Sequence, residues 1–298
     1  MRLFCFFGTI KTMEIIRATV LGFCFGVRRA VELAEKALTE NSGKNVYSLG
    51  PLIHNELVLN ELSSKGLLIV NENEIEKIEN GSIVIIRAHG VEPSVEKKLV
   101  EKNCRIINAT CPRVTASQKM VSKYNSPKDF IILTGDKNHG EVISIAGYAG
   151  NNFILVQNLE EAENLNFTEN NDFNFILMSQ TTFCVNEFEK IKNCLEKKCR
   201  NLTVLNTICP ATKERQDSLI DLCSKVDGVL IIGGKNSANT KRLYELAQEN
   251  STKAAFVQSA QEIPEQFYTF EKVGITAGAS TPDQLITEVE ATLHGEKL

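Results

Sequence analysis

The chain has 298 residues, 43% hydrophobic and 23% charged, with a net charge of −4. That length buries a sizeable core, with about two domains the ordinary expectation, and the acidic balance leaves no basic field to hold nucleic acid or an anionic bilayer. No apolar run reaches the ~18 to 20 residues of a membrane span, the opening MRLFCFFGTIKT is too short in its apolar part for a signal peptide, and nine cysteines, an odd number, point to reduced thiols or metal ligands in a cytoplasmic chain.

Taken in chain order, residues 1–12, with Cys5, read as an N-terminal extension, because Met13 opens the strand-like EIIRATV and is a candidate start. Val27, Ala30, Val31, Ala34 and Leu38 fall at offsets 0, 3, 4, 7 and 11, an amphipathic helix, and strands follow at NVYSL, LLIV and IVIIRA. A second helix runs from Pro112 to about Lys123, followed by strands DFIILTG, NFILV and FNFILMS, and a third from Pro210 to about Cys223, followed by GVLIIGG, KAAFV and VGITAG. An acidic, helix-like stretch precedes the last strand each time, as NENEIEKI, NLEEAENL and SAQEIPEQF, and EVEATLHGEKL closes the chain as a short docking helix. This alternation predicts an α/β protein of three similar lobes with mostly parallel small sheets, spanning 13–108, 109–206 and 207–298.

The lobes repeat in register. Cys24, Cys111 and Cys209 each open a helix; His54, His139 with Glu141, and Ser237 with Asn239 follow about thirty residues later; His89, Thr181 with Thr182, and Ser280 come after a further strand. Copies packed around a common axis would bring three thiols and the polar groups to one point, a pseudo-threefold arrangement around a central metal site. Pro112 and Pro210 directly follow their cysteines, and proline is favoured at the first helical position, so Cys111 and Cys209 are predicted N-caps whose thiolates the helix dipole favours. Gly26 plays the matching part after Cys24 by allowing close backbone approach.

A single cysteine is ordinarily a small buried apolar residue, and that reading stands for Cys5, Cys104, Cys184, Cys194, Cys199 and Cys223, which have no counterparts between lobes. A lone histidine is ordinarily structural, but three of the four here fall at post-strand positions of the repeat, leaving His294 as a surface residue. Glu141 alone would be a helix-start carboxylate, and its register makes it a candidate proton donor. Ser237 and Asn239 follow a glycine pair after a buried strand, where donors often hold phosphate, although the same residues make ordinary caps. Three thiolates select iron–sulfur, zinc or copper(I), and the lack of a Cys-x-x-Cys pair lowers structural zinc. A cubane cluster usually takes four cysteines, so three would leave one iron open as a Lewis acid.

Collectively GFCFGV, LIHN, AHGV, ATCP, the His-x-Glu element, SQTT, TICPAT, KNSAN and TAGAS resemble the 4-hydroxy-3-methylbut-2-enyl diphosphate reductase family over essentially the whole chain from Met13. The resemblance implies a three-lobed fold around one [4Fe–4S] cluster held by Cys24, Cys111 and Cys209, whose open fourth iron binds the substrate hydroxyl. It implies a two-electron reductive dehydroxylation giving isopentenyl and dimethylallyl diphosphate, with a ferredoxin or flavodoxin as electron donor. His54, His89, His139, Ser237, Asn239 and Ser280 would cradle the diphosphate, with Thr181 and Thr182 nearby, and Glu141, Thr181 and His139 would form the catalytic set. Two departures stand out: Ala238 where relatives carry a serine, and Gly140 where His-Pro-Glu is usual, a change expected to leave that loop freer. The competing expectations are a non-enzymatic iron–sulfur sensor or electron carrier, and a zinc hydrolase with His139 and Glu141 at the metal.

Overall fold

The computed structural model describes residues 13–41, 43–167, 172–250 and 253–295, so the expected extension 1–12 lies outside the described residues. Apolar runs too long for a half-exposed strand become the central strands of parallel sheets, which are covered on both faces. Thus β2 (Val46–Leu49) and β4 (Ile83–Ile86) are buried throughout, and β3 (Leu67–Val70) and β5 (Arg105–Asn108) flank them in the order β3-β2-β4-β5. The second sheet repeats that order with β6 (Asp129–Thr134), β7 (Phe153–Val156), β8 (Asn174–Ser179) and β9 (Leu202–Val204), as β7-β6-β8-β9. The third, from β10 (Gly228–Ile232), β11 (Ala254–Val257) and β12 (Lys272–Ala277), takes its fourth strand from the other end of the sequence, where β1 (Glu14–Arg17) pairs in parallel with β12. The expected α/β fold with three parallel sheets is therefore present, and EIIRATV completes the last sheet rather than the first.

Helices cover the sheets: α1 (Phe25–Glu40), α2 (Glu56–Ser64), α3 (Pro93–Glu101), α4 (Pro112–Lys123), α5 (Gly140–Ala146), α6 (Leu159–Asn164), α7 (Val185–Lys198), α8 (Pro210–Cys223), α9 (Ala238–Asn250) and α10 (Asp283–Leu293). Along α1, Ala30, Ala34 and Ala37 are buried, and Val27, Val31 and Leu38 pack at the margin of the same core. Small residues on that face let the helix lie close to its sheet. Of the three acidic stretches, Leu159–Asn164 is α-helical, whereas Glu72–Lys77 and the pair Ala260–Glu262 and Glu265–Thr269 form 3-10 turns. The closing helix starts earlier than expected, at Asp283.

By compactness the described residues fall into two units. One comprises the described parts of Met1–Gly22, Arg215–Lys235 and Thr240–Leu298 and contains the third sheet; the other comprises those of Phe23–Glu214 with Asn236–Asn239 and contains the first two. Within the first unit Arg215, buried, donates to the carbonyls of Gly22 and Ala277 at 3.0 and 2.9 Å. Cys24, Cys111, Cys209, the three sheet-end histidines, Glu141, Thr181 and Thr182 all belong to the second.

Candidate active site

Side chains just beyond the carboxyl ends of parallel strands converge, because the strands all point the same way. His54 follows β2 through a turn at Gly50, whose φ of +73° suits glycine and whose carbonyl accepts from the buried Ser48 hydroxyl at 2.7 Å. His89 follows β4, the neighbour of β2, and His139 follows β6 as the N-cap of α5. Ring centroids are 4.7 Å apart for His54 and His89, 5.0 Å for His89 and His139, and 5.9 Å for His54 and His139. Among the described residues, these three bring their ligand nitrogens within 4.8 Å of one another.

Burial, and then the guanidinium of Arg87, hold His54 below its ordinary value; burial, the other two imidazoles and Arg87 hold His89 well below it. Nδ1 of His139 accepts from the Glu141 N–H at 3.2 Å, so a neutral ring carries its proton on Nε2. Nδ1 of His89 is buried and has no hydrogen-bond partner among the described residues. Imidazoles in this spacing suit a divalent cation or an anion that accepts their N–H groups. The fixed charge of Arg87 beside them repels the first and attracts the second, which favours the anion.

Glu141, 2% exposed, lies in the first turn of α5. Its carboxylate accepts from the Thr181 N–H at 2.6 Å and the Thr181 hydroxyl at 2.8 Å. The carbonyl of Thr181 accepts in turn from the Cys209 N–H at 2.8 Å and the Thr212 hydroxyl at 3.0 Å. Cys111 is held at the other side, where its N–H donates to the Ala88 carbonyl at 2.9 Å, one residue before His89. Burial pushes the Cys111 thiol up, backbone N–H groups of Arg113 and Val114 partly offset this, and nearby Cys24 and Glu141 raise it further. The polar groups thus share an environment with two of the three sulfurs.

The thiol set fits a soft metal centre. Cys24 and Cys111 cap α1 and α4, neither side chain is committed to a capping bond, and no acidic residue occupies the first turn of α1, α4 or α8. All three cysteines are free and part-buried. Gly26 lies so close to Cys111 that a Cβ there would stand 2.6 Å from its sulfur, the close approach expected of that glycine. Of the other described cysteines, Cys199 and Cys223 are buried in apolar cores, and burial, with Cys194 beside it, pushes the Cys199 thiol up to about 11.

Gln180, fully buried, accepts from the Asp136 N–H at 3.0 Å and donates to the Thr182 hydroxyl at 2.9 Å, which ties the loop after β6 to the loop after β8. Ser237 and Asn239, both buried, fall in the unit that holds the histidines, and Nδ2 of Asn239 has no hydrogen-bond partner among the described residues. Ser280 is buried in the other unit. Gly140 is the first residue of α5, a helical position rather than the freer loop its composition suggests.

Sequence reasoning missed three residues that hold the site. Arg29 donates to the Asn108 and Thr110 carbonyls at 3.1 and 3.3 Å, fixing α1 to the strand that leads into Cys111. Gln118 donates to the Ser144 hydroxyl at 2.7 Å, and Ser144 to the Val91 carbonyl at 3.2 Å, linking α4 to α5 and to the turn after His89.

The family described as LytB protein matches residues 15–294. A Treponema denticola protein named 4-hydroxy-3-methylbut-2-enyl diphosphate reductase is 44% identical over 287 residues, covering 94% of this chain and 99% of its own. One of the same name from Caldanaerobacter subterraneus is 40% identical over 278 residues, covering 93% and 95%. The solved E-1-hydroxy-2-methyl-but-2-enyl-4-diphosphate reductase of Plasmodium falciparum superposes with a TM-score of 0.88 at 28% identity, covering 94% of this chain and 88% of its own. A structure described as (E)-4-hydroxy-3-methyl-but-2-enyl diphosphate reductase, the terminal enzyme of the non-mevalonate pathway, gives a TM-score of 0.69 at 38% identity, covering 95% and 99%.

Proposed function

The chain belongs to the LytB family, and from that premise we infer that it is an oxidoreductase, a 4-hydroxy-3-methylbut-2-enyl diphosphate reductase of the non-mevalonate isoprenoid pathway. The net reaction consumes two electrons and two protons: the allylic C–O bond breaks, one proton leaves with the hydroxyl as water, and the other is delivered to carbon. Protonation at either of two carbons gives isopentenyl or dimethylallyl diphosphate.

Cys24, Cys111 and Cys209 would hold one [4Fe–4S] cluster, which when bound supplies electrons singly and a Lewis-acidic iron with a free position. His54, His89 and His139 bind the diphosphate by donating N–H groups, and Arg87 keeps that corner favourable to an anion. Ser237 and Asn239 add donors, Nδ2 of Asn239 having no hydrogen-bond partner among the described residues, and Ser280 is carried over from the family pattern as a further contact. Thr181 orients the substrate hydroxyl with its own hydroxyl, and Thr182 supports that loop. Glu141 passes a proton by way of Thr181 to the departing oxygen, and His139, whose Nδ1 accepts from the Glu141 N–H, is the third member of the catalytic set. A ferredoxin- or flavodoxin-type protein in the cytoplasm supplies the electrons; no described helix is long and apolar enough to cross a membrane.

The observation that carries this reading is the buried Glu141 carboxylate, bonded twice to Thr181, whose carbonyl is bonded to the Cys209 N–H. It supports a proton donor at Glu141, linked through Thr181 to the backbone of Cys209. Anaerobic reconstitution with iron and sulfide, followed by electron paramagnetic resonance with and without the diphosphate substrate and by product analysis under a low-potential reductant, tests it. A perturbed spectrum at one iron together with the two diphosphate products is expected. A cluster indifferent to substrate, with no turnover, would instead describe a sensor or electron carrier.

A further inference from the structure

The three imidazoles come from three separate loops, so something must fix their spacing. Arg87 is placed to do it. It stands two residues before His89, and its side chain lies against glycines in both of the other loops. A Cβ at Gly50, which leads to His54, would be 2.6 Å from Nη1 of Arg87; a Cβ at Gly140, between His139 and Glu141, would be 3.0 Å from Nη2. The guanidinium is tethered by Glu72, at 2.5 Å from Nη2, and the Arg87 side chain is 15% exposed. Its Nε is buried and has no partner among the described residues. A guanidinium set between two glycines fills the space that side chains at those positions would otherwise take, and so stands as a spacer between the two loops.

We propose that Arg87, tethered by Glu72, is the positioning residue of the anion cradle: its planar head spaces the loops bearing His54, His89 and His139, and its fixed charge reserves the cavity between them for a diphosphate. This rests on the reductase reading, because that reading supplies the ligand. The role requires a planar, permanent cation of this length, which lysine reproduces only in charge. Gly140 and Arg87 form a coupled pair, since a Cβ at 140 would press on the guanidinium at 3.0 Å from Nη2.

The test is a set of variants, Arg87→Gln, Arg87→Lys, Glu72→Gln, Gly140→Ala, and Gly140→Ala combined with Arg87→Gln. Each is measured for inorganic pyrophosphate binding by isothermal titration calorimetry and for kcat and KM in the reconstituted enzyme. Arg87→Gln should weaken pyrophosphate binding and raise KM by about tenfold or more, through loss of the fixed charge and of the loop spacing, with kcat within about threefold. Arg87→Lys should recover part of that loss, and Glu72→Gln should act in the same direction more weakly. Gly140→Ala, a change that favours a helix in isolation, should weaken binding while Arg87 is present and add nothing once it is Gln. If Arg87→Gln does not fold, Gly140→Ala and Glu72→Gln carry the test with the arginine in place. Wild-type protein that binds pyrophosphate, with variants that bind equally well, overturns this inference alone. Equal losses in kcat and binding would make Arg87 a general structural residue and also overturn it. Wild-type protein that binds no pyrophosphate overturns the reductase reading beneath it.

Discussion

Replacing Glu141 with Gln changes one atom of a buried side chain and separates its chemical role from its structural one. The carboxylate accepts both the N–H and the hydroxyl of Thr181, at 2.6 and 2.8 Å. The amide keeps its oxygen on the N–H and turns its NH₂ toward the Thr181 oxygen, which can accept once its proton rotates away. Two charge-assisted bonds of ~1.5–3 kcal/mol thus become two neutral bonds of ~0.5–1.5 kcal/mol. Relief of a buried negative charge near the Cys111 thiol offsets that difference, so the fold and the bound iron should change little. The proton is another matter, because the amide cannot donate it at neutral pH. A positioned general acid contributes ~10²–10⁴ in rate, or ~3–5 kcal/mol of barrier. Anaerobic turnover with a reduced viologen dye should therefore fall by at least about a hundredfold, while iron content, pyrophosphate affinity and thermal midpoint stay close to wild type. Turnover within tenfold of wild type would refute the assignment; parallel loss of iron would show that Glu141 supports the thiols instead.

Gly90, at φ +73°, is packed so that a Cβ would meet Gln118 Nε2 at 2.6 Å and Ser144 Oγ at 2.7 Å, so Gly90→Ala should destabilise the protein by ~1–3 kcal/mol, as read by chemical denaturation. Cys111→Ser should abolish iron incorporation, while Cys199→Ser should keep full iron content and lose ~1–3 kcal/mol by burying a hydroxyl in an apolar core, a contrast checked by iron analysis and denaturant titration. His54 and His89 are held below the ordinary 6.5 in the folded protein, so below that pH the unfolded chain binds protons that the folded one refuses. Their contribution to stability is present above about pH 6.5 and fades as pH falls toward the lowered values. Denaturation midpoints between pH 8 and 5 should show it, and His89→Gln should flatten the slope.

The cysteine pattern was legible because proline after Cys111 and Cys209 marks a helix start, and those helices begin at Pro112 and Pro210. Strands β2, β4, β6, β8, β10 and β12 announced themselves as long apolar runs, whereas β5 and β9, RIIN and LTV, are short edge strands with too few apolar residues to stand out. The pairing of β1 with β12 spans nearly the whole sequence, and a parallel partner that distant leaves no local mark. Gln118 did leave one: it sits between Val114 and Val121 on the buried stripe of α4, where a polar residue must have a partner. Arg87 left a weaker one, a cation directly after a fully buried strand, but the glycines it separates become visible only when three loops meet.

The placement of β1 also imposes an order on biosynthesis. The strand leading into Cys24 is made well before the segment it hydrogen-bonds to, Lys272–Ala277. On the ribosome the first two sheets can form from contiguous sequence while β1 waits unpaired. Cys24 itself is secured earlier, because α1 packs in the core of the first sheet and Arg29 ties it to the strand before Cys111, so only β1 is left without its partner until Lys272–Ala277 has been made.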